Sequence, residues 1–389
     1  MKTIPLTKPY IDEEELKAVL EPLKSGWLVQ GTKVVEFEKV FSNFIGDGYT
    51  CAVSNCTAAL HIALTLLGIK ENDEVILPAF TYVATANAIE YLKAKPVFVD
   101  INIDTFNIKT EDIEKKITNK TKVIIPVHLF GLCADIDPIL NLANKYKLKI
   151  VEDAACALGS YYKDTHAGLF GDIGCFSFHP RKIITTGEGG MIVTKHKPLI
   201  EKAKSLRDHG AKTSDLQRHN NKLFLMPEFN ELGFNYRMTD IQASIGLSQM
   251  KKVPDLLAKR KEMAQRYHDP LSDIPWIKIP VYEKNYLHSY QAYVLRINKN
   301  YFNGDMKIAN SIRNRLVEYF TKNGIFTRPG THAVPTLGYY KNKYGFKNSD
   351  FPASVEAETT TITLPLFYQL KDEEQEKVVK TIKEFGEKI

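Results

Sequence analysis

The sequence predicts an α/β protein. A large domain carries a mostly parallel central sheet wrapped by helices, and a smaller C-terminal α+β domain follows. Three observations predict this. From about residue 50 to 195, short apolar runs alternate with helical patterns, which is how a parallel sheet covered by helices is built. The interior runs are apolar at nearly every position, as strands buried on both faces are. After Met250 the chain becomes more charged and the alternation stops. A length of 389 residues suits one large and one smaller domain, placed at residues 1–250 and 251–389.

The strand candidates are CAVSN, DEVILPAF, KPVFVDI, KVIIPVHLF, KIVEDAA, GCFSFH and GGMIVT, each rich in β-branched or aromatic residues. Between them, TAALHIALTLLG, YVATANAIEYLK and DIDPILNLANKYKL read as helices. The first ends at a glycine and the last opens on acids suited to a helix N-terminus. In the second domain, KKVPDLLAKRKEMAQRYHDPL predicts a charged helix and SYQAYVLRI a strand. Two more helices are predicted from KIANSIRNRLVEYFTKNG and EEQEKVVKTIKEFGEKI. There is no internal repeat and no low-complexity tract.

Composition narrows the function classes. Hydrophobic residues at 44% and charged residues at 25% are ordinary for a globular protein. No apolar run approaches the roughly 20 residues that cross a bilayer, and the first residues lack a signal-peptide core, so a cytoplasmic protein with no membrane partner is expected. A net charge of +6, scattered among acids, forms no basic stripe and argues against nucleic acid as a partner. The cysteines are Cys51, Cys56, Cys133, Cys156 and Cys175. Their spacing suits no zinc site, so no metal is expected, and they read as reduced thiols packed as small hydrophobes.

In an open α/β sheet, ligands gather at the carboxyl ends of strands. After CAV come Ser54-Asn55-Cys56-Thr57 and a helix, a phosphate cradle or simply a Ser/Thr cap. After VILP comes Tyr82, placed either to stack on a planar ligand or to pack in the core. After KIV comes Asp153, costly to bury without a partner unless it caps a helix. Ser177 and His179 lie in the strand that runs into Lys182 and a Gly-Glu-Gly-Gly turn. A cradle, an aromatic plate, a buried carboxylate and a lysine, in this order, are the parts needed to hold pyridoxal 5'-phosphate. The lysine forms an imine with its aldehyde, and the carboxylate keeps its ring nitrogen protonated so the ring can accept electrons.

With SGWLVQGTKVVEFE, SNCTAALHIAL, LPAFTYVATANAI, VHLFG, VEDAACALGS, GDIGCFSFHPRKIITTGEGGMIVT, RDHGA, GFNYRMTDIQAS and LPLFYQL, the chain resembles the DegT/DnrJ/StrS family of sugar aminotransferases nearly end to end. The resemblance implies the type I (aspartate aminotransferase) fold of PLP-dependent transferases. It implies Lys182 as Schiff-base lysine and proton shuttle, and Asp153 as partner of the pyridine nitrogen. Thr57, Ser177 and the backbone at Cys56 match the phosphate site, and Tyr82 the stacking aromatic. Asn235 matches an asparagine that reaches the phosphate of the neighbouring subunit's cofactor, which implies a homodimer with shared active sites; otherwise it makes an Asx turn.

Two positions depart from the pattern. Cys56 stands where glycine is usual, and Cys156 where glutamine or histidine contacts the ring hydroxyl. A dehydratase branch carries histidine in place of the lysine; Lys182 is retained here, which favours transamination. His179 is then structural or at the rim of the sugar pocket, and Arg181 meets a substrate phosphate or solvent. Gln30, His209 and His332 are candidates for the sugar pocket, with loop or capping roles as the alternative.

The implied reaction takes the amino group of an amino acid, L-glutamate in the family, to a nucleotide-linked 4-keto-6-deoxy sugar in amino-sugar and surface-polysaccharide biosynthesis. A lowered pKa would let the Lys182 amine act as general base near neutral pH. The alternatives are amination at C3 or of a small phosphorylated ketone, a same-fold dehydratase, and a non-catalytic PLP-binding regulator.

Overall fold

The computed structural model describes residues 3–46, 48–213 and 226–389. Its centre is a seven-stranded sheet. In spatial order the strands are Tyr49–Val53, Gly190–Thr194, Ile173–Ser177, Lys149–Asp153, Thr121–Ile124, Glu74–Pro78 and Lys95–Val99. The last five run parallel, and Gly190–Thr194 is antiparallel to both its neighbours. Every apolar run read as a strand between residues 50 and 195 is therefore in this sheet.

Alternate side chains enter two different cores, as the pleat requires. Cys51, Val53, Val151, Ile173, Cys175 and Ile192 face the helices Cys56–Leu66 and Lys197–Leu206. Ala52, Phe176, Met191 and Val193 face the helix Thr32–Ile45, where Phe37, Phe41, Phe176 and Phe178 meet edge to face. Farther along the sheet, Ile76, Ile124 and Ile150 pack against the helix Ile136–Tyr146.

The charged helix expected to open at Lys251 begins eleven residues earlier. It runs from Asp240 to Leu271 across position 250, with Pro254 and Pro270 inside it. Its start is a capping box: Thr239 accepts from the Gln242 N–H, and the Gln242 side chain accepts from Thr239 N–H. The Asp240 carboxylate in turn accepts the N–H groups of Gly31, Lys33 and Val34, capping the helix Thr32–Ile45.

Beyond it lies a three-stranded antiparallel sheet of Ile277–Lys278, Tyr293–Ile297 and Thr361–Leu364. Tyr293, Leu295, Ile297, Ile362 and Leu364 share a core with residues of the helices Met306–Lys322 and Asp372–Gly386. The N-terminal stretch joins this unit, because Ile4 exchanges backbone hydrogen bonds with Gly324 and Phe326. Conversely, His332–Ala333 pairs with Phe80–Thr81 of the large unit. Among the described residues no helix is long and apolar enough to cross a membrane.

Candidate active site

The carboxyl ends of Tyr49–Val53, Lys149–Asp153 and Ile173–Ser177 meet at one edge of the sheet. Val53 pairs with Gly190, Gly190 with Ser177, and Asp153 with Cys175. Gly190 is needed there. A Cβ on it would come within 2.6 Å of the Asn55 carbonyl carbon and 2.8 Å of the Cys56 nitrogen, so the strand lies directly on the start of the helix Cys56–Leu66. That helix is capped by Asn55, whose side chain accepts from Ala58 N–H at 2.8 Å. The cap is thus neither Ser54 nor Thr57. The Thr57 hydroxyl has no protein partner among the described residues, and the Cys56 N–H lies at the first helical position, where backbone donors are free for an anion.

Asp153 ends its strand only 5% exposed. No helix follows for it to cap; a turn does. Its Oδ1 accepts from Ala155 N–H at 3.1 Å and its Oδ2 from the Thr85 hydroxyl at 2.7 Å. Thr85 itself is within 3.2 Å of Thr81 Oγ1. Thr85 was not singled out in the sequence. It lies 68 residues from Asp153, and only the threonine-rich TYVAT segment hinted at it.

Lys182 sits in the loop between Ile173–Ser177 and Gly190–Thr194. The loop is closed by Phe178 N–H to Gly189 O, Thr186 N–H to Phe178 O, and the Thr185 hydroxyl to Phe178 O. Gly187, at φ +82°, makes the reversal. His179 builds the turn that holds the lysine: its carbonyl accepts the Lys182 N–H, its Nδ1 the Arg181 N–H at 3.2 Å, and its own N–H points to Ser177 Oγ. Burial lowers the His179 pKa, and the nearby Lys182, Arg181 and Arg328 cations add to this against Glu188. The imidazole is neutral at pH 7.

The Lys182 ammonium donates to Cys156 Sγ at 3.0 Å. Burial disfavours its charge, while the hydrogen bond to Cys156 and the nearby Asp153 carboxylate favour it, and its pKa stands above the usual lysine value. The shift is upward, opposite to the lowering that general-base action near neutral pH would need. Burial raises the Cys56 pKa, and Asp153 adds to it, so that thiol is neutral. All five cysteines are free; Cys51, Cys133 and Cys175 are buried, whereas Cys56 and Cys156 are only partly so and flank the lysine. Among the described residues no three His, Cys, Asp or Glu groups gather as a metal site would.

Tyr82 is 65% exposed at the start of the helix Val83–Glu90, so it does not pack in the core. Arg181 is exposed and its carbonyl accepts from Gln291 Nε2 at 2.8 Å. His332, 53% exposed, pairs with Thr81 beside Tyr82 and lies 3.6 Å from Glu358. Among the described residues, neither Gln30 nor His209 makes a hydrogen bond to Lys182, Cys156 or Asp153. The Gln30 carbonyl accepts from Trp27 Nε1 and its buried Oε1 has no partner among the described residues; exposed His209, at φ +60°, donates its N–H to Phe234 O. Asn235 is exposed next to Tyr236, whose carbonyl accepts from Ser54 N–H at 2.8 Å. Arg328, absent from the sequence-based candidates, has Arg181, Cys156 and Tyr82 as its electrostatic neighbours.

A lysine at the end of a doubly wound sheet, a buried carboxylate with spare acceptor capacity, and a helix N-terminus define a type I pyridoxal-phosphate transferase. Residues 9–383 match the DegT/DnrJ/EryC1/StrS aminotransferase family. The chain is 36% identical to GDP-perosamine synthase of Escherichia coli O157:H7 over 99% of both chains. It is 35% identical to the spore coat polysaccharide biosynthesis protein SpsC of Bacillus subtilis, covering 98% of this chain and 96% of that one. Spr1654 of Streptococcus pneumoniae, solved in PLP and PMP forms, superposes with TM-scores of 0.90 and 0.91 at 33% identity; all of this chain is covered, with 99% and 98% of the two Spr1654 chains. The chain belongs to this family of sugar aminotransferases and uses pyridoxal phosphate. The residues present fit that cofactor: a primary amine, a carboxylate with free lone pairs, and backbone donors at a helix start.

Proposed function

We propose that this enzyme transfers the amino group of L-glutamate to C4 of a nucleotide-linked 4-keto-6-deoxy sugar, for amino-sugar and surface-polysaccharide biosynthesis. The observation that carries the reading is Lys182 held against Cys156 with Asp153 close enough to bias its charge. The end-to-end likeness to a GDP-perosamine synthase supports a nucleotide-linked substrate, and the ITTGEGG form of the loop supports C4.

When bound, the cofactor supplies an electron sink for the bond broken at carbon. Lys182 would hold it and carry the proton from the donor carbon. Asp153, aimed by Thr85 and Ala155, would keep the ring nitrogen protonated. A cation resting on Asp153 would also cancel part of the field that keeps Lys182 charged, freeing the amine to act as base. Tyr82 would cover the ring, Cys56, Thr57 and Ser177 would receive the phosphate, and Cys156 would stand at the ring hydroxyl. His332 and Arg181 would line the sugar side, with the chain divided functionally near residue 250.

The enzyme would work as a homodimer. Leu16, Leu20, Leu23, Leu28 and Val29 are exposed over one short stretch of chain and need a cover, and Asn235 is free to reach a second copy. Lys182→Ala should lose the imine absorbance and all turnover. Mixed with Asn235→Ala, it should recover activity in hybrid dimers, because one of the two sites then has both wild-type residues. A panel of nucleotide 4-keto and 3-keto sugars offered with glutamate and read by mass tests the substrate; amination of 3-keto sugars alone would refute the C4 reading.

A further inference from the structure

Arg260, on the long helix Asp240–Leu271, is a guanidinium only 6% exposed. Its Nη1 donates to the Tyr290 and Gln291 carbonyls at 3.0 and 3.1 Å. Nε and Nη2 are the two parallel donors along the other edge of the fork, and that edge makes no hydrogen bond or ion pair among the described residues. The two carbonyls satisfy one nitrogen but bring no countercharge. A buried cation in that state is destabilising unless an anion pairs with it.

The same guanidinium lines a cavity. The other walls include Lys8 and Tyr10 of the N-terminal stretch, Lys182 and Thr185 of the loop described above, Gln249 of the long helix, and Tyr368. No lining residue is an acid. Gln249 Nε2 donates to Glu15 at 2.9 Å, but that carboxylate is already paired with Lys252 at 2.7 Å. The walls are fixed to one another: Gln291, whose carbonyl takes Arg260 Nη1, donates its side-chain Nε2 to Arg181 O at 2.8 Å. The space admits about one water-sized species.

We propose that this cavity binds one halide-sized anion, chloride, between the free edge of Arg260 and the Lys8 ammonium. Size and charge decide the occupant. Phosphate, sulfate or a substrate carboxylate needs more room than one water takes, and a water brings no charge to set against the guanidinium. Two parallel N–H donors converge on a single spherical ion as readily as on two oxygens. The ion would join the long helix, the N-terminal stretch and the Lys182 loop, and would stabilise the folded enzyme by mass action.

The test takes the PLP-loaded enzyme freed of halide, holds ionic strength constant with sodium gluconate, and follows Tm as chloride replaces gluconate. Tm should rise and saturate with chloride, because gluconate is too large to enter. In Lys8→Met, half-saturation should need about two- to fivefold more chloride, the weight of one exposed charge. Arg260→Lys keeps the charge and can still reach the two carbonyls, but loses the paired edge, and should need about tenfold more. Unchanged far-UV circular dichroism shows that both variants fold. Crystals grown with bromide in place of chloride should give an anomalous peak at Arg260 Nε and Nη2. A Tm indifferent to chloride, an unchanged half-saturation in either variant, or no bromide peak at Arg260 would overturn the assignment. A peak there without any response in solution would mark an adventitious ion only, and would overturn it as well.

Discussion

Glu152 and Asp153 are consecutive on one strand, both buried, and used in opposite ways. Glu152 points into the protein and is saturated: Oε2 meets His128 Nε2 at 2.8 Å and Gly168 N–H at 2.7 Å, while Oε1 accepts from Phe170 and Gly171 N–H, both at 2.7 Å. Asp153 points to the strand-end cluster with one partner on each oxygen, leaving acceptor capacity unused. A buried acid whose lone pairs are all filled holds loops in place. One that is half filled is waiting for a ligand, and the low exposure of both shows that burial alone does not separate the two.

The sharpest way to break this contrast is to neutralise each acid in turn. Asp153→Asn should lower turnover by roughly 10²–10³-fold with little change in urea midpoint. Glu152→Ala should do the reverse, removing about 3–5 kcal/mol of stability because it strands His128 and three backbone donors. Unfolding curves and steady-state rates on the two variants check both; a Glu152→Ala protein as stable as wild type would refute the structural role.

The loop that Glu152 organises also carries a pH liability. His166 is buried, its Nε2 accepting from Gly159 N–H at 2.9 Å, and burial lowers its pKa to about 4. Its folded pKa lies below the unfolded value of about 6.5, so its contribution is fully present above that value. It is lost as pH falls from there through about 4, amounting to about 3 kcal/mol. Urea midpoints measured between pH 7 and pH 4 should fall accordingly, and His166→Gln should flatten the slope. The smallest effect sharpens the other side: Thr85→Val frees one Asp153 oxygen and should cost about tenfold in turnover with the fold intact.

Much of this was legible in the sequence, for identifiable reasons. Strands such as KIVED and GCFSF announce themselves because both faces are covered, and Lys182 and Asp153 lie in long motifs. The helix start at Asp240 was not read, because polar Lys251-Lys252 and Pro254 look like a beginning rather than a middle. Thr85 was missed because nothing in its local pattern differs from any helix-face threonine. What it does follows from which distant strand end it meets, and one sequence carries no trace of that.

The pairing of His332–Ala333 with Phe80–Thr81 has a consequence for traffic through the molecule. Val334 N–H bonds Ala79 O at 2.8 Å and the Thr331 hydroxyl bonds Thr81 O, so the peptide that carries Arg328 is stitched to the segment that carries Tyr82. A hinge opening between the two units would have to unzip that seam. A substrate admitted without breaking that seam would enter along the rim, past the exposed side chains of Tyr82 and His332.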